Sequence, residues 1–461
     1  MPNQKIVAIG AGSDVFGLNT VGTLFKNSSL KGCTLVLVDK DTSSLLAMHR
    51  LAERVNREWG AGWKVERETN TQVALEGADF VICSIAASPR EMLWKKDFEI
   101  PLQFGVRQPY AENSGPGGFA QAARNIPMIM EIAGWMEKTC PGAMFINFTN
   151  PMLRICDAVH RYTDLQVVGL CHQVAAGYAM VGKALYRELG IEVPPAFTGT
   201  HSSPAINPSR AQVSRSARKK VTIQAAGTNH FTWMRDLRDI ETHKDLFPIF
   251  KKRWEEMDPA FEPLTRKIFA DFGLFPIPGD EHLCEYLPWM SDPVTHPWER
   301  YDLSLYEWDL RAALREKGHA HIRKLAEGEG TLDELQNEDS EGAAEVIAAR
   351  VSGKTMDWDA VNVPNQGYLS NLPEQAIVEV PAKLGKTIQP ALIGDLPVGI
   401  AELCHREIIV SQLCVDAAVK GDRKAALQCL LLDPVVRDLE VGEKILGGYL
   451  KEFKDYLPQF A

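Results

Sequence analysis

The amino-acid sequence predicts an α/β fold, in which a doubly wound parallel sheet is followed by a mixed α+β region. Short runs of β-branched and apolar residues alternate with longer helical patterns through the first half of the chain. A glycine-rich turn follows the first of these runs. Beyond Gly190 the pattern changes, and Val193-Pro194-Pro195 opens a polar loop. We therefore divide the chain into residues 1–190 and 191–461.

Hydrophobic patterning places the elements of the first region in order. The predicted strands are Lys5–Ile9, Thr34–Val38, Phe80–Ile85, Met144–Phe148 and Gln166–Leu170. The predicted helices are Thr20–Lys26, Ser43–Trp59, Ala120–Lys138, Leu153–Arg161 and Ala175–Leu189. In the second region, long helices are expected around Leu305–Leu325 and Pro397–Leu432. We interpret the basic stretch Arg210–Lys220 as a solvated hairpin, with an oligomer contact or a cover over an anionic substrate as alternatives.

Composition excludes several classes of protein. The chain has 461 residues, 45 % of them hydrophobic and 24 % charged, which is ordinary for a globular protein. A net charge of −10 disfavours a nucleic-acid partner. No stretch reaches the roughly 18 apolar residues that span a membrane. Nine cysteines without a C-x-x-C pair fit reduced thiols, so we expect a cytoplasmic protein.

The first turn has the residues of a dinucleotide site. Gly10, Gly12 and Ser13 lie between the first strand and the first helix, where glycine lets the backbone approach a pyrophosphate. Asp39 ends the second strand, where a carboxylate accepts hydrogen bonds from a ribose and disfavours a 2′-phosphate. The pattern predicts a Rossmann-type domain that binds NAD rather than NADP. The alternative is a tight turn that binds no ligand.

Polar clusters follow three other strands. Asn147-Phe148-Thr149-Asn150-Pro151 ends the fourth strand, Cys171-His172 ends the fifth, and Gly227-Thr228-Asn229-His230 ends the next. The carboxyl ends of parallel strands line one crevice, so these clusters are expected to face the glycine turn. A thiolate and an imidazole supply half of a metal shell. The alternatives are a helix cap for the amides and a core position for the cysteine.

Two more segments carry candidate groups. Gly279–Tyr286 holds three carboxylates, an imidazole and a phenol, any of which can supply a general base, although a plain charged loop is equally consistent. Glu112–Gly118 is glycine-rich and precedes a helix, so its backbone can lie against a cofactor or substrate, or serve as a flexible connector.

In this order and spacing, the segments resemble glycoside hydrolase family 4, the NAD- and divalent-metal-dependent glycosidases, whose sheet is similar to that of lactate and malate dehydrogenases. The resemblance covers nearly the whole chain. The further matching pieces are Ala123-Arg124-Asn125-Ile126-Pro127, Asn371-Leu372-Pro373, Val378-Glu379-Val380-Pro381 and Gly394-Asp395-Leu396-Pro397.

The resemblance implies roles for individual residues. Cys171 and His230 would bind the metal, commonly manganese, and Asn150 would hold the substrate close to it. His172 occupies a position where members that act on 6-phosphosugars tend to carry Asp or Asn, which favours an unphosphorylated α-glycoside. Asp280 matches the base of the α-acting members. Glu112 and Asn229 are the remaining expected site residues, the first catalytic and the second substrate-binding, and His172 is expected to share both roles.

The implied reaction oxidises the sugar before cleaving it. NAD takes a hydride from C3, Asp280 removes the acidified C2 proton, and the C1 substituent leaves by elimination; water then adds and the steps reverse. A small glycoside, a hexoside or a hexuronide, is the expected partner of a homodimer or homotetramer. The alternatives are an NAD-dependent 2-hydroxyacid dehydrogenase and a non-catalytic NAD sensor.

Overall fold

The computed structural model describes residues 3–14, 16–108, 110–197, 207–303, 305–337 and 341–461. Part of the polar loop expected after Pro195, residues 198–206, lies outside these ranges. No helix in the described ranges is long and apolar enough to cross a membrane.

The described residues form one mixed sheet of twelve strands. In chain order the strands are β1 (Lys5–Ile9), β2 (Thr34–Val38), β3 (Lys64–Glu68), β4 (Phe80–Cys83), β5 (Met144–Asn147), β6 (Gln166–Gly169), β7 (Val221–Thr228), β8 (Phe231–Asp239), β9 (Phe275–Pro276), β10 (Met356–Pro364), β11 (Ile377–Leu384) and β12 (Gln389–Pro390). Across the sheet they run β3-β2-β1-β4-β5-β6-β10-β11-β7-β8-β9, and β12 pairs with β11. The pairs among β1–β6 are all parallel, and the later pairs are antiparallel. The predicted fold class is confirmed.

Helices cover both faces of the sheet. In chain order they are α1 (Phe16–Lys26), α2 (Thr42–Trp59), α3 (Thr71–Leu75), α4 (Arg90–Leu102), α5 (Gly115–Thr139), α6 (Met152–Tyr162), α7 (Val174–Ala184), α8 (Tyr186–Leu189), α9 (Pro208–Arg218), α10 (Phe247–Glu256), α11 (Pro263–Phe272), α12 (Asp280–Tyr286), α13 (Pro297–Arg300), α14 (Trp308–Ala326), α15 (Asp333–Asn337), α16 (Ala343–Ser352), α17 (Val398–Lys420), α18 (Arg423–Leu432) and α19 (Leu439–Glu452).

The apolar runs explain why the parallel strands lie where the sequence predicted them. In β1 and β2 four of five residues are buried, and in β4 and β5 all four are, because helices pack on both faces. Their side chains divide between two large apolar clusters, one on each face of the sheet. Strand β3 escaped prediction because it is a polar edge strand with no buried residue.

Two of the predicted helices are each divided into two helices in the structure. The expected helix Pro397–Leu432 is two helices, because Gly421 ends α17 in the left-handed conformation (φ 68°) and Asp422 caps α18. The expected helix Ala175–Leu189 is likewise divided, into α7 and α8.

The basic stretch is not a solvated hairpin, which corrects our interpretation of Arg210–Lys220. It forms most of α9, which begins at Pro208 and is capped by the Asn207 side chain accepting a hydrogen bond from the Arg210 N–H at 3.1 Å. The Arg210 guanidinium is buried and donates to Glu262 at 2.7 Å. Part of the positive charge therefore anchors the helix inside the protein instead of facing solvent.

Candidate functional site

The glycine turn between β1 and α1 has the geometry of a dinucleotide-binding turn. Gly10 has a φ of 84°, and an added Cβ there would lie 2.0 Å from the Ser84 carbonyl oxygen. The Gly12 N–H donates to Oδ2 of Asp39 at 2.9 Å, and an added Cβ on Gly12 would lie 2.8 Å from that oxygen. Ser13 lies in the turn, where its Oγ accepts from the Phe16 N–H at 3.3 Å. The turn therefore excludes side chains and brings a carboxylate to the start of α1, which fits a dinucleotide.

Cys171 and His230 come together, as the sequence analysis expected. Cys171 follows β6, and His230 lies with Asn229 in the two-residue hairpin between β7 and β8. Although they are 59 positions apart, the Cys171 Sγ lies 3.1 Å from the His230 Nε2. His230, the second residue of this turn, adopts a left-handed conformation (φ 60°).

The two side chains of this pair differ in protonation state. Burial, together with nearby His282 and His172, holds the pKa of His230 well below its ordinary value, so the imidazole is neutral, the form that binds metals. Burial and the charge of Glu379 raise the pKa of the Cys171 thiol. A divalent cation must therefore displace the thiol proton when the sulfur becomes its ligand.

Glu112 and His282 extend the pair into a cluster. One ligand atom from each of Glu112, His230 and His282 lies within 4.8 Å of the others, and all three side chains are buried. The His282 and His230 rings stack with centroids 4.2 Å apart. The Cys171 thiol is not in this three-residue group and joins it through its contact with His230. Imidazole, carboxylate and thiolate are all donors that divalent transition metals accept. These residues therefore fit a metal ion.

Cationic and amide donors hold the Glu112 carboxylate in place. Its Oε1 accepts from Arg90 at 3.0 Å and from the Asn150 Nδ2 at 3.3 Å, and its Oε2 accepts from the Asn113 Nδ2 at 3.0 Å. Asn150, expected to hold substrate, therefore lies beside the cluster. The Asn147 side chain instead stabilises the turn after β5, because it accepts from the Thr149 N–H and donates to the Thr149 carbonyl.

His282 forms a hydrogen-bonded dyad with Glu285. Its Nδ1 lies 3.0 Å from Oε1 of Glu285, whose Oε2 accepts from the main-chain N–H groups of Glu112 and Asn113. Burial opposes protonation of His282, but the hydrogen bond and charge of Glu285 outweigh it and raise the pKa of the imidazole to about 9. The dyad thus ties α12 to the loop that carries Glu112.

Asn229 and His172 lie beside the cluster in different surroundings. The Asn229 Nδ2 donates to Oε2 of buried Glu379 at 2.7 Å, and burial raises the pKa of Glu379 to about 7. The His172 side chain is 54 % exposed, and its Nδ1 lies 3.4 Å from Oε1 of Glu341. His172 is thus the member of the expected set that is most accessible to a ligand from solvent.

Asp280 lies outside the cluster of Glu112, His230 and His282. Its carboxylate is completely buried, and its two oxygens accept from the main-chain N–H groups of Leu264 and Thr265 at the start of α11, at 3.0 and 2.6 Å. Burial, and then the charge of Glu262, raises the pKa of Asp280 well above its usual range. In this geometry Asp280 caps a helix.

Sequence reasoning missed four groups in or beside the site: Arg90, His282, Glu285 and Glu379. His282 and Glu285 belong to the polar run that the analysis singled out, and their i, i+3 spacing on a helix was a usable signal. Glu379 lies in a piece that matched the family but had no role assigned to it, and Arg90 has no local signal; both reach the site through contacts with residues far away in sequence.

Fold and site together are those of a Rossmann-type enzyme, in which a glycine turn that fits a dinucleotide is combined with a buried cluster that fits a metal ion. A family model described as "Family 4 glycosyl hydrolase" matches residues 5–187, and the model of the C-terminal domain of the same family matches residues 225–436. The chain therefore belongs to glycosyl hydrolase family 4, as its sequence predicted. It is a glycosidase, and the dehydrogenase alternative is not supported.

Three similar proteins are glycosidases, and each matches this chain over more than nine-tenths of both sequences. An α-glucosidase of Erwinia rhapontici is 28 % identical, with 94 % of each chain covered. An α-galactosidase of Bacillus subtilis is 28 % identical over 94 % of this chain and 93 % of its own. An α-galacturonidase of Thermoanaerobacter italicus is 27 % identical over 98 % and 97 %.

Solved structures agree on the fold. A putative glucosidase from Bacillus subtilis has a TM-score of 0.83 and 26 % identity, with 98 % of this chain and 100 % of that chain covered. A 6-phospho-β-glucosidase from Thermotoga maritima, solved with manganese, NAD⁺ and glucose-6-phosphate, has a TM-score of 0.77 and 19 % identity over 98 % and 99 %.

Proposed function

We propose that this protein cleaves an unphosphorylated, α-linked hexoside or hexuronide, using NAD and a divalent cation such as Mn²⁺. The observation that carries the proposal is the 3.1 Å approach of the Cys171 Sγ to the His230 Nε2, beside Glu112 and His282. The names of the relatives, α-glucosidase, α-galactosidase and α-galacturonidase, support an unphosphorylated α-glycoside. His172, in place of an acidic or amide side chain, supports the same substrate class.

The chain offers a place for each group. Gly10, Gly12, Ser13 and Asp39 would hold NAD, and Cys171 and His230 would hold the cation. When bound, these groups supply hydride acceptance at sugar C3 and polarisation of the oxygen there. The related Thermotoga maritima enzyme was solved with manganese and NAD⁺.

The chain's own residues orient the sugar and move a proton. Asn150, held against Glu112, has an amide in reach of a sugar hydroxyl beside the cation. Asn229 and His172 are proposed as further substrate contacts, with Glu112 and His172 assisting proton transfer. The base that removes the C2 proton is Asp280 by resemblance, but Asp280 is a buried helix cap. His282, whose ring lies in the cluster and is oriented by Glu285, is the other candidate; because its pKa is about 9, it would first have to lose a proton, which a cation held beside it would favour.

We further propose a cytoplasmic homodimer or homotetramer. All nine cysteines, which lie within the described ranges, are free thiols. A reduced Cys171 is required for cation binding, and the cytosol keeps thiols reduced.

Nitrophenyl α-glycosides and an α-hexuronide test the function directly. With trace NAD, Mn²⁺ and dithiothreitol, we expect release of the chromophore without accumulation of NADH, because each hydride removed from C3 is returned. In deuterated water the product should carry deuterium at C2. A product without deuterium contradicts the elimination route, and stoichiometric NADH from lactate or malate would support a dehydrogenase.

Two variants decide between the candidate bases. We expect His282→Gln to slow C2 deuterium incorporation by about 10²–10⁴-fold, the usual contribution of a general base. Asp280→Asn should retain incorporation but lower the thermal midpoint, because it weakens the cap of α11. Cation affinity and thermal midpoint are measured for both variants. Loss of incorporation in Asp280→Asn, with unchanged cation affinity, would return the role of base to Asp280.

A further inference from the structure

Helix α14, from the second half of the chain, lies across the glycine turn. An added Cβ on Gly318 of α14 would lie 2.8 Å from the Cβ of Asp14, so the helix backbone packs directly on the residue that follows Ser13. At the other end of the helix, the Leu325 carbonyl accepts from Arg54 of α2 at 2.7 Å. The helix therefore runs from the residues just before α1 to the C-terminal half of α2.

Arg315 points from α14 at two carboxylates beside that turn. Its guanidinium donates to Oε1 of Glu91 through Nη2 at 2.6 Å and through Nε at 3.2 Å, and its Nη1 lies 3.5 Å from Oδ1 of Asp14. Asp14 and Glu91 are 10 % exposed, whereas Arg315 is 31 % exposed. The guanidinium therefore reaches the acidic pair and also faces solvent.

Binding of a dinucleotide would increase the negative charge around Arg315. The diphosphate of a dinucleotide, held at the start of α1, would place two further negative charges near Asp14 and Glu91. Charges of like sign repel strongly in a partly buried site, because water screens them less there than at an exposed surface. A guanidinium has five donors in a planar fork, so it can keep its carboxylate partners and still donate to a phosphate oxygen.

We propose that Arg315 is a cofactor-binding residue, which neutralises the acidic edge of the glycine turn and donates to the diphosphate of the bound dinucleotide. The inference rests on the proposed use of NAD. It adds a contact from the second half of the chain to a site that sequence motifs confine to residues 10–39. Gly318 permits this contact, because any side chain there would separate α14 from Asp14.

Binding of NAD, ADP and adenosine to Arg315→Gln, measured by calorimetry, tests the proposal. The dissociation constants of NAD and ADP should rise about tenfold or more, as expected for a lost charge-assisted contact, whereas adenosine binding should not change. The dissociation constants of Arg315→Lys for NAD and ADP should lie between those of Arg315→Gln and the wild type, because lysine restores the positive charge without the planar set of donors. The matched control is Lys317→Gln, which removes one charge from an exposed position of the same helix.

Two results would overturn the role of Arg315. Equal weakening of adenosine would show that the variant displaces α14, so that Arg315 acts through structure alone. Unchanged binding of NAD and ADP would remove the contact altogether. Failure of the wild-type protein to bind NAD or ADP is a distinct outcome, because it would contradict the proposed cofactor itself and with it this inference.

Discussion

Replacing Cys171 by Ser is expected to abolish cation-dependent turnover. The sulfur lies 3.1 Å from the His230 Nε2, and a serine hydroxyl stays neutral where cysteine can lose its proton and offer an anionic sulfur to the cation. Loss of an outer-shell partner alone costs about 10- to 100-fold in metal affinity or activity, and loss of a direct ligand should cost more. The measurements are turnover of an α-glycoside and the dissociation constant of Mn²⁺, each before and after removal of metal with a chelator.

A second cysteine provides the control. Cys33 is equally a free thiol, but it is fully buried at the start of β2, away from His230. Cys33→Ser should respond to added Mn²⁺ as the wild type does after chelation, whereas Cys171→Ser should not recover. Full activity of Cys171→Ser with unchanged Mn²⁺ affinity would remove Cys171 from the cation site.

Replacing Arg124 by Met should cost about 3–5 kcal/mol of the free energy of unfolding, the usual result of removing one partner from a buried ion pair. Arg124 of α5 binds Asp97 of α4 through two parallel hydrogen bonds of 2.7 and 2.6 Å, and both side chains are almost inaccessible to solvent. Burial already raises the pKa of Asp97 against the lowering effect of Arg124. Without the guanidinium, the carboxylate is left unpaired in the core. Urea unfolding at pH 7 measures the loss.

A double variant separates the unpaired charge from lost packing. In Arg124→Met with Asp97→Leu no charge is buried, so the double variant should be more stable than Arg124→Met alone. If instead the two substitutions destabilise additively, the loss comes from packing, including the contact of the guanidinium with the Phe453 ring, and the buried charge is not its cause.

Cys171 and Arg124, the residues replaced in these two predictions, both lie in motifs that are visible in the sequence, but the sequence does not show which residues they contact. Arg124 lies in one of the pieces that matched the family, yet nothing near it in sequence indicates Asp97, 27 positions earlier. Cys171 was expected to meet His230 because the family resemblance implies that both bind one metal ion. The structure brings them together, but β7 pairs antiparallel with β11, so the rule for parallel strands does not by itself locate His230. The hairpin between β7 and β8 does so.

The segment that holds Asp280 shows what a motif leaves open. The run Gly279–Tyr286 was correctly singled out, but a sequence does not reveal which side of α12 meets the cluster. In the structure His282 lies in the cluster and Asp280 caps α11, because the fold brings the N–H groups of Leu264 and Thr265 to its carboxylate. Similarly, the positive charge of Arg210 predicted a side chain exposed to solvent. In the structure this side chain is buried, because its guanidinium donates to Glu262, 52 positions later.

The sequence by itself determined five of the six parallel strands, the glycine turn with Asp39 and the family of the protein. These features depend on hydrophobic period, backbone conformation and hydrogen bonds between near neighbours, all of which are determined by residues close together in the sequence. Only the tertiary structure decided that Glu112 and His282 join His230, that Asp280 is a cap, and that Arg315 reaches the glycine turn. Those contacts join residues far apart in the chain, and their geometry follows from how whole helices pack on the sheet.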